Sequence, residues 1–568
     1  MVAVTGHRDL APGELPQIRE RVRTFLEGLR ARYPDRGVAI MSMLAEGADR
    51  LVAEVAIELD VALTVILPMP RDCYLTDFVA PGSREQFLGL CNKAVDVFEL
   101  ALVPGATLET VAAPGRARSQ QYAQAGVFMC AHCHILLALW DGKPSDQVGG
   151  TSQVVRFHHD DVMPGYTPSS AQNRLILTDD ESDLVYHIVC SRDRPDGQPA
   201  EGLAALDTWW YTTDAEFARV REMPSRHRRV FDRSSEFNRD VARHADDIAS
   251  QSWSLLSEAQ AATMPPGLQD INLVFRAADW LAIYYQRRRM LVLRLTHVCV
   301  LLMGLAYVSY TDYSSERWLI FALFGLMTLA MVVSTLAARG AWHRRYLDYR
   351  ALAEGLRIQF YWAAAGVTSG NVTKYAHDNF LQQQDPELGW IRNVMRVAGT
   401  ECDAAQRADA EGLHFAVSEW IGDFHSGQLG YYRRKSALRS KEHEATQRLG
   451  RIGLWSSAVC LVVLLFVGAG VPDAVRVPLT YALGLLLLLI GVRQSFAKST
   501  AEAELIKQYD FMHRIFSNAY RRIDAADGDA ERRRILKILG DASLEEHAQW
   551  ILMHRERSID QREILKLG

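Results

Sequence analysis

The chain has 568 residues, 68 of them acidic against 63 Lys and Arg, for a formal net charge of -5. That balance leaves no whole-chain footprint for nucleic acid, and the length suggests two to four domains. A mean hydropathy of -0.07 with 23% charged residues would suit a soluble protein, but the average conceals apolar blocks gathered into about eighty residues.

The chain opens on Val2-Ala3-Val4-Thr5-Gly6, a short buried strand with none of the basic and apolar regions of a cleavable signal. A helix is predicted from about Glu14 to Tyr33. Strands follow at Val38–Met43, Ala62–Leu67 and Ile135–Trp140, with a helix ending at Leu59 after the first of these. Continuous apolar strands alternating with helical patterns predict a parallel sheet in an α/β, Rossmann-like domain. In such a sheet ligands lie beyond the carboxyl ends of the strands.

Three of those junctions carry suitable chemistry. Gly6 lets the backbone approach a phosphate, with Thr5, His7 and Arg8 as nearby donors. The run Glu46, Gly47, Ala48, Asp49, Arg50 can hold a ribose or base edge and start a helix. After Trp140, Asp141 and Gly142 turn the chain toward Gly149, Gly150 and Thr151, which open another helix. Each glycine alone reads equally well as a turn. Three successive strand ends of this kind favour a nucleotide-type ligand.

Cys130-Ala131-His132-Cys133-His134 has the spacing of covalent haem attachment. With His158, His159, Asp160 and Asp161 following, zinc is conceivable, but no second Cys-x-x-Cys supports a four-ligand site. The simpler reading is a helix end packed on the strand at Ile135, so no metal is expected. Arg174–Thr178 and Leu184–Cys190 read as further strands. From about Asp207 the pattern becomes helical, marked by Trp209, Trp210, Phe217, Val220, Phe231 and Phe237, and the basic run Arg226 to Arg229 reads as a solvated face. Pro265-Pro266-Gly267 breaks the pattern, after which Leu268 to Arg289 is amphipathic, with Trp280, Tyr284 and Tyr285 at interfacial positions.

Leu291–Tyr310 and Trp318–Ala338 are apolar blocks of about 20 residues, long enough as helices to cross a ~30 Å hydrocarbon core. The only ionisable group in either block that must snorkel is Arg294. A second pair follows at Leu454–Val471 and Val477–Val492. Arginines and lysines flank the outer ends (Arg287, Arg288, Arg289, Arg339, Arg344, Arg345, Arg433, Arg434, Lys435, Arg448, Arg451, Arg493, Lys498), whereas the short turns carry only Arg317 and Arg476. This asymmetry puts both termini and the segment 339–453 in the cytoplasm of a cell with a multi-pass inner membrane protein. Span two continues without a stop signal, predicting an unbroken helix to Ala365. Leu413–Gln447 reads as a long helix feeding span three, and Ala501–Ile523 as an amphipathic continuation of span four.

Thr5-Gly6-His7-Arg8, Leu44 to Arg50, Leu67-Pro68-Met69-Pro70 with Tyr74, Asp77 and Phe78, Leu137 to Gly142, and Gly149-Gly150-Thr151 together resemble the SLOG superfamily. That superfamily joins the Smf/DprA proteins to the Lonely Guy phosphoribohydrolases and includes the ligand-sensing region of melastatin-type TRP channels. The resemblance implies a Rossmann-like domain that binds, or in some branches cleaves, nucleotide derivatives. Val154 stands where the Lonely Guy motif has its catalytic glutamate, which favours binding over hydrolysis. No catalytic residue is therefore assigned.

A second resemblance rests on Tyr349 to Trp362, Trp420-Ile421, Tyr431 to Lys435 and Glu545 to Arg557, which are similar to the SLATT family, the SMODS- and SLOG-associating two-transmembrane effectors. Two pairs of spans suggest a duplicated version. The chain then divides into a SLOG-like domain (1–200), a helical connector (201–267), an amphipathic helix with the first transmembrane pair (268–338), a cytosolic helical stalk (339–453), the second pair (454–492) and C-terminal cytosolic helices (493–568). The resemblances imply a ligand-gated membrane effector or channel of a bacterial antiphage system. Its ligand would be a cyclic oligonucleotide, an ADP-ribose derivative or an NAD-like molecule made by a partner enzyme. Four slender helices leave no room for a wet pore, so membrane lipid and further copies of the chain are expected partners, a tetramer being one candidate order. A membrane-anchored hydrolase of N-glycosidic or phosphate bonds, using Arg8, Glu46 or Asp49, is the alternative.

Overall fold

The computed structural model describes residues 1–167, 183–213, 218–313, 315–367, 375, 380–381, 386–405, 410–467 and 472–564. The strand expected at Arg174–Thr178 and the apolar mark Phe217 lie outside these residues. The chain divides into two compact units, Met1–Asp279 with Ala351–Leu413 and Gly540–Glu556, and Trp280–Arg350 with His414–Leu539 and Arg557–Gly568.

The first unit is built on an eight-stranded sheet of β1 (Val2–Gly6), β2 (Ala39–Ser42), β3 (Ala62–Leu67), β4 (Asp96–Glu99), β5 (Ile135–Trp140), β6 (Val185–Val189), β7 (Thr208–Tyr211) and β8 (Arg219–Val220), in the order β4-β3-β2-β1-β5-β6-β7-β8. The first six run parallel. Strand order reverses between β1 and β5, which makes the crevice at their carboxyl ends the natural place for a ligand. β5 is buried along its whole length, as a strand covered on both faces must be, and its run of Ile, Leu, Ala and Trp has a single polar side-chain group, the Trp140 N–H, which is hydrogen-bonded. Helices α1 (Leu15–Arg32) and α2 (Ala48–Glu58) return the chain between β1, β2 and β3.

The sheet is mixed rather than wholly parallel. β7 runs antiparallel to β6, and β8 antiparallel to β7. The helical pattern expected from Asp207 is corrected here: Thr208-Trp209-Trp210-Tyr211 is a strand, and the next helix begins only at Ser225. Bulky aromatic and β-branched side chains favour the pleated surface. Tyr186 meets Trp210 edge-on at 4.8 Å, a cross-strand contact that a helix would not supply, and stacks on Phe25 of α1 at 4.1 Å.

The Cys-x-x-Cys-His stretch is packed within the same unit. Cys130 and Cys133 are buried, and burial raises both thiol pKa values. His132 Nε2 lies 3.0 Å from Asp403 and His134 Nε2 2.8 Å from the Asn393 carbonyl, tying the helix Gly389–Ala405 to the end of β5's preceding helix.

Among the described residues four helices are long and apolar enough to cross a membrane, within Pro266–Thr311, Arg317–Arg339, Gly427–Phe466 and Asp473–Asp524. Their apolar side chains face outward: Phe321 is 74% exposed and Phe466 79%. In water such surface would be unstable; in hydrocarbon it is the solvated state. In the second unit, spans one and four are antiparallel neighbours. A Cβ on Gly304 would meet Leu488 at 2.4 Å and one on Gly484 would meet Val308 at 3.3 Å, the close approach that small residues allow between membrane helices. Spans three and four meet likewise, Gly453 facing Ile490.

The long helices expected to continue from the spans are interrupted, against expectation. The helix Arg317–Arg339 stops at Gly340 and Ala341, the latter in the left-handed region with φ 49°, before a new helix Trp342–Ala365. Gly after a terminal arginine is a stop signal, and a Cβ on Gly340 would strike the Trp342 indole. Ala501, φ 55°, separates Asp473–Ser499 from Glu502–Asp524. Leu413–Gln447 is not one helix either; a π-turn at Ala416–Ile421 and Gly422, φ 69°, precede the helix Gly427–Val467. Leu268–Arg289 does continue unbroken into span one, within Pro266–Asp312.

Candidate ligand site at the sheet's carboxyl edge

The end of β1 and the start of α2 are locked together by glycine. A Cβ on Gly6 would lie 2.3 Å from that of Ala48, and one on Gly47 would lie 2.3 Å from the Arg8 carbonyl oxygen. Gly47 also has φ 81° and ψ -119°, a conformation open only to glycine. With Cβ absent, the Ala48 N–H donates to the His7 carbonyl at 3.1 Å, and the His7 N–H to that of Leu139 at 3.1 Å. Residues 6–8 are thereby fixed at the crevice between β1 and β5.

Two polar groups leave this knot. His7 Nε2 lies 3.1 Å from Asp141 Oδ1, beyond the end of β5. Burial alone would raise the Asp141 pKa, but hydrogen bonds from His7 and the Lys143 backbone outweigh it and hold the carboxyl below its usual value. Arg8 instead points outward, with 46% of its side chain exposed and its guanidinium 3.5 Å from Asp77. Arg118 donates to the other Asp77 oxygen at 2.6 Å, and the Tyr122 hydroxyl also donates to Asp77. Burial, then the hydrogen bond to Asp77 and its charge, push the Tyr122 pKa up to about 12. Beneath them the Tyr74 hydroxyl is buried and has no hydrogen-bond partner among the described residues.

Asp49 lies in the first turn of α2 with 3% of its surface exposed. Burial raises its pKa to about 7, against the opposing pull of the Ala45 N–H, the Arg8 charge and the Ser42 hydroxyl. Near neutral pH such a carboxyl can accept or give a proton. Gly149, φ 77°, is pressed against Tyr122 and Ala123, where a Cβ would come within 2.8 Å of each. Gly150 then caps the helix Thr151–Asp160, whose first N–H groups form an anion-favouring end.

Of the residues singled out from sequence, His7, Arg8, Asp49, Asp141, Gly149, Gly150 and Thr151 thus belong to this edge, and Gly6, Gly47 and Ala48 shape it. The others are engaged elsewhere. Thr5 is buried within β1. Trp140 is buried and its Nε1 donates to the Lys143 carbonyl at 3.1 Å. Arg50 donates to Leu44, Ser83 and Gln86 and stacks on Phe78, while Glu46 accepts from the Ser83 hydroxyl, so this pair fastens α2 to the helix Ser83–Lys93. Asp77, Arg118 and Tyr122 were not singled out as ligand-site residues. Tyr122 lies one helical turn beyond Arg118, but their common partner is more than forty residues earlier in the chain. Among the described residues no group of three His, Cys, Asp or Glu side chains could hold a metal ion.

Comparisons with protein-family models, with curated proteins and with solved structures each returned no match.

Proposed function

We propose that this chain is a ligand-gated membrane effector: its α/β unit, of Rossmann-like and SLOG type, binds a nucleotide-derived anion, and its SLATT-like spans permeabilise an inner membrane in response. The observation that carries the proposal is Arg8, held outward by Asp77 beside glycine-shaped backbone at the strand-order reversal, in a chain that also has four membrane-length helices. A phosphate there would exchange the single Asp77 contact of Arg8 for a charge-assisted pair, with the Gly150–Thr151 helix end adding its N–H dipoles. Both termini lie on the cytoplasmic side in this scheme, and copies of the chain assemble to form the pathway. The ligand acts only through its different affinity for closed and open states, so binding must alter the carboxyl edge of the sheet.

The test is calorimetry on the detergent-solubilised full chain with cyclic oligonucleotides, ADP-ribose and NAD. Binding of one of them, abolished by Gly150→Trp and weakened by Arg8→Gln, is the expected result. A panel without heats of binding refutes it.

Asp49 supports a second reading. A buried carboxyl poised near neutrality within the field of a half-exposed arginine is equipped for general acid–base work, so the same site would hydrolyse its nucleotide. Consumption of a bound compound, lost in Asp49→Asn with binding intact, distinguishes this from gating.

A further inference from the structure

At the end of the membrane region where span one begins and span four ends, the second unit carries a groove of about 380 Å³. Its wall is apolar, formed by Val298, Leu301 and Leu489 among others, with Val298 49% and Leu489 44% exposed. Its rim is basic, formed by Arg294, His297 and Arg493. The antiparallel register already fixed by Gly304 against Leu488 sets the rim's level: Arg294 is ten residues from Gly304, about 15 Å along the helix.

The rim is partly built and partly open. His297 donates from Nδ1 to the Leu293 carbonyl at 2.8 Å, and its Nε2 lies 3.3 Å from the Ser495 hydroxyl. Its ring packs edge-on against Phe496 at 5.3 Å. Arg493 is held by Glu502 at 3.3 Å and by the Thr446 hydroxyl. Arg294 has neither a hydrogen bond nor an ion pair among the described residues. Of the two arginines only Arg493 is paired with a carboxylate, Glu502, so Arg294 is left as an uncompensated positive charge. An apolar wall open to hydrocarbon beside one spare cation has the shape and charge of a phospholipid with a single negative charge: acyl chain along the wall, phosphodiester at Arg294.

We propose that this groove is a site for an anionic phospholipid. The inference rests on these helices being membrane spans but not on the nucleotide reading. A lipid seated between spans one and four would bridge their ends.

The experiment is native mass spectrometry of the full chain, delipidated in detergent and given equal amounts of phosphatidylglycerol and phosphatidylcholine. Wild type retains phosphatidylglycerol preferentially. Arg294→Gln, an exposed and unpaired position, lowers the ratio roughly fivefold, and Arg294→Lys keeps it within about twofold. An unchanged ratio in Arg294→Gln overturns the proposal. So does an equal loss from Arg448→Gln, an exposed arginine of a different groove, which would mean diffuse attraction. Competition by millimolar inorganic phosphate also overturns it, since the groove would then read a free anion. Failure of the membrane reading shows separately, as wild type that stays monodisperse without detergent.

Discussion

Replacing Asp49 by asparagine removes an ionisation that burial of the site resists. In the folded chain its pKa is about 7, against an ordinary value of 3.8. The folded state therefore binds the proton more tightly than the unfolded state, and stability falls as pH rises between those two values. At 1.36 kcal/mol per pH unit the full penalty is about 4 kcal/mol, present above pH 7 and absent below pH 4. The asparagine variant carries no such penalty. The difference in melting temperature between Asp49→Asn and wild type, followed by tryptophan fluorescence in detergent, should rise from pH 4.5 to 7 and level off above it. Its total change should be on the order of 10 °C for a unit of this size. Lost hydrogen bonds to Ala45 and Ser42 would shift the whole curve without altering its slope. A difference independent of pH refutes the reasoning, because it would mean that Asp49 is already ionised at acid pH or reached by water.

Gly47→Ala and Gly82→Ala start from similar positive φ angles, 81° and 76°, but only at Gly47 would the new Cβ meet backbone. We expect Gly82→Ala to cost about 0.5–1 kcal/mol and Gly47→Ala at least about 3 kcal/mol; equal melting shifts would contradict the close packing of β1 on α2. Ala341→Gly relieves a left-handed alanine and should stabilise the membrane unit by about 0.5–1 kcal/mol, read as a small rise in its melting temperature in detergent. Arg8→Gln should leave melting within about 0.5 kcal/mol of wild type, since the side chain is half exposed. It should weaken nucleotide binding about tenfold by calorimetry, and an unaltered affinity would remove Arg8 from the site.

The strands legible in sequence were those buried on both faces. β5 is an unbroken apolar run, β1 and β3 are apolar apart from one threonine each and the closing Gly6, and β6 falls inside Leu184–Cys190. β7 was hidden because Thr208-Trp209-Trp210-Tyr211 has no alternation and its aromatics also fit a helical face; antiparallel pairing with β6 decides the matter, and that is a tertiary fact. The apolar spans were visible from length and composition alone. The helix ends beyond spans two and four were not: the stop at Gly340 was read through, and Ala341 and Ala501 carry positive φ at residues that ordinarily continue a helix. At the candidate site the glycines were readable and the side-chain partners were less so. Glu46 and Arg50 matched the motif yet turn to Ser83, whereas the Asp77 cluster depends on three segments meeting across the sheet's edge.

Gating is tested most directly by leakage from dye-loaded liposomes containing the purified full chain, challenged with each nucleotide of the binding panel. The proposed function requires release that depends on one compound, at concentrations matching its affinity, and that disappears in Gly150→Trp. Consumption of that compound with the dye retained would contradict gating and leave a membrane-anchored hydrolase in its place.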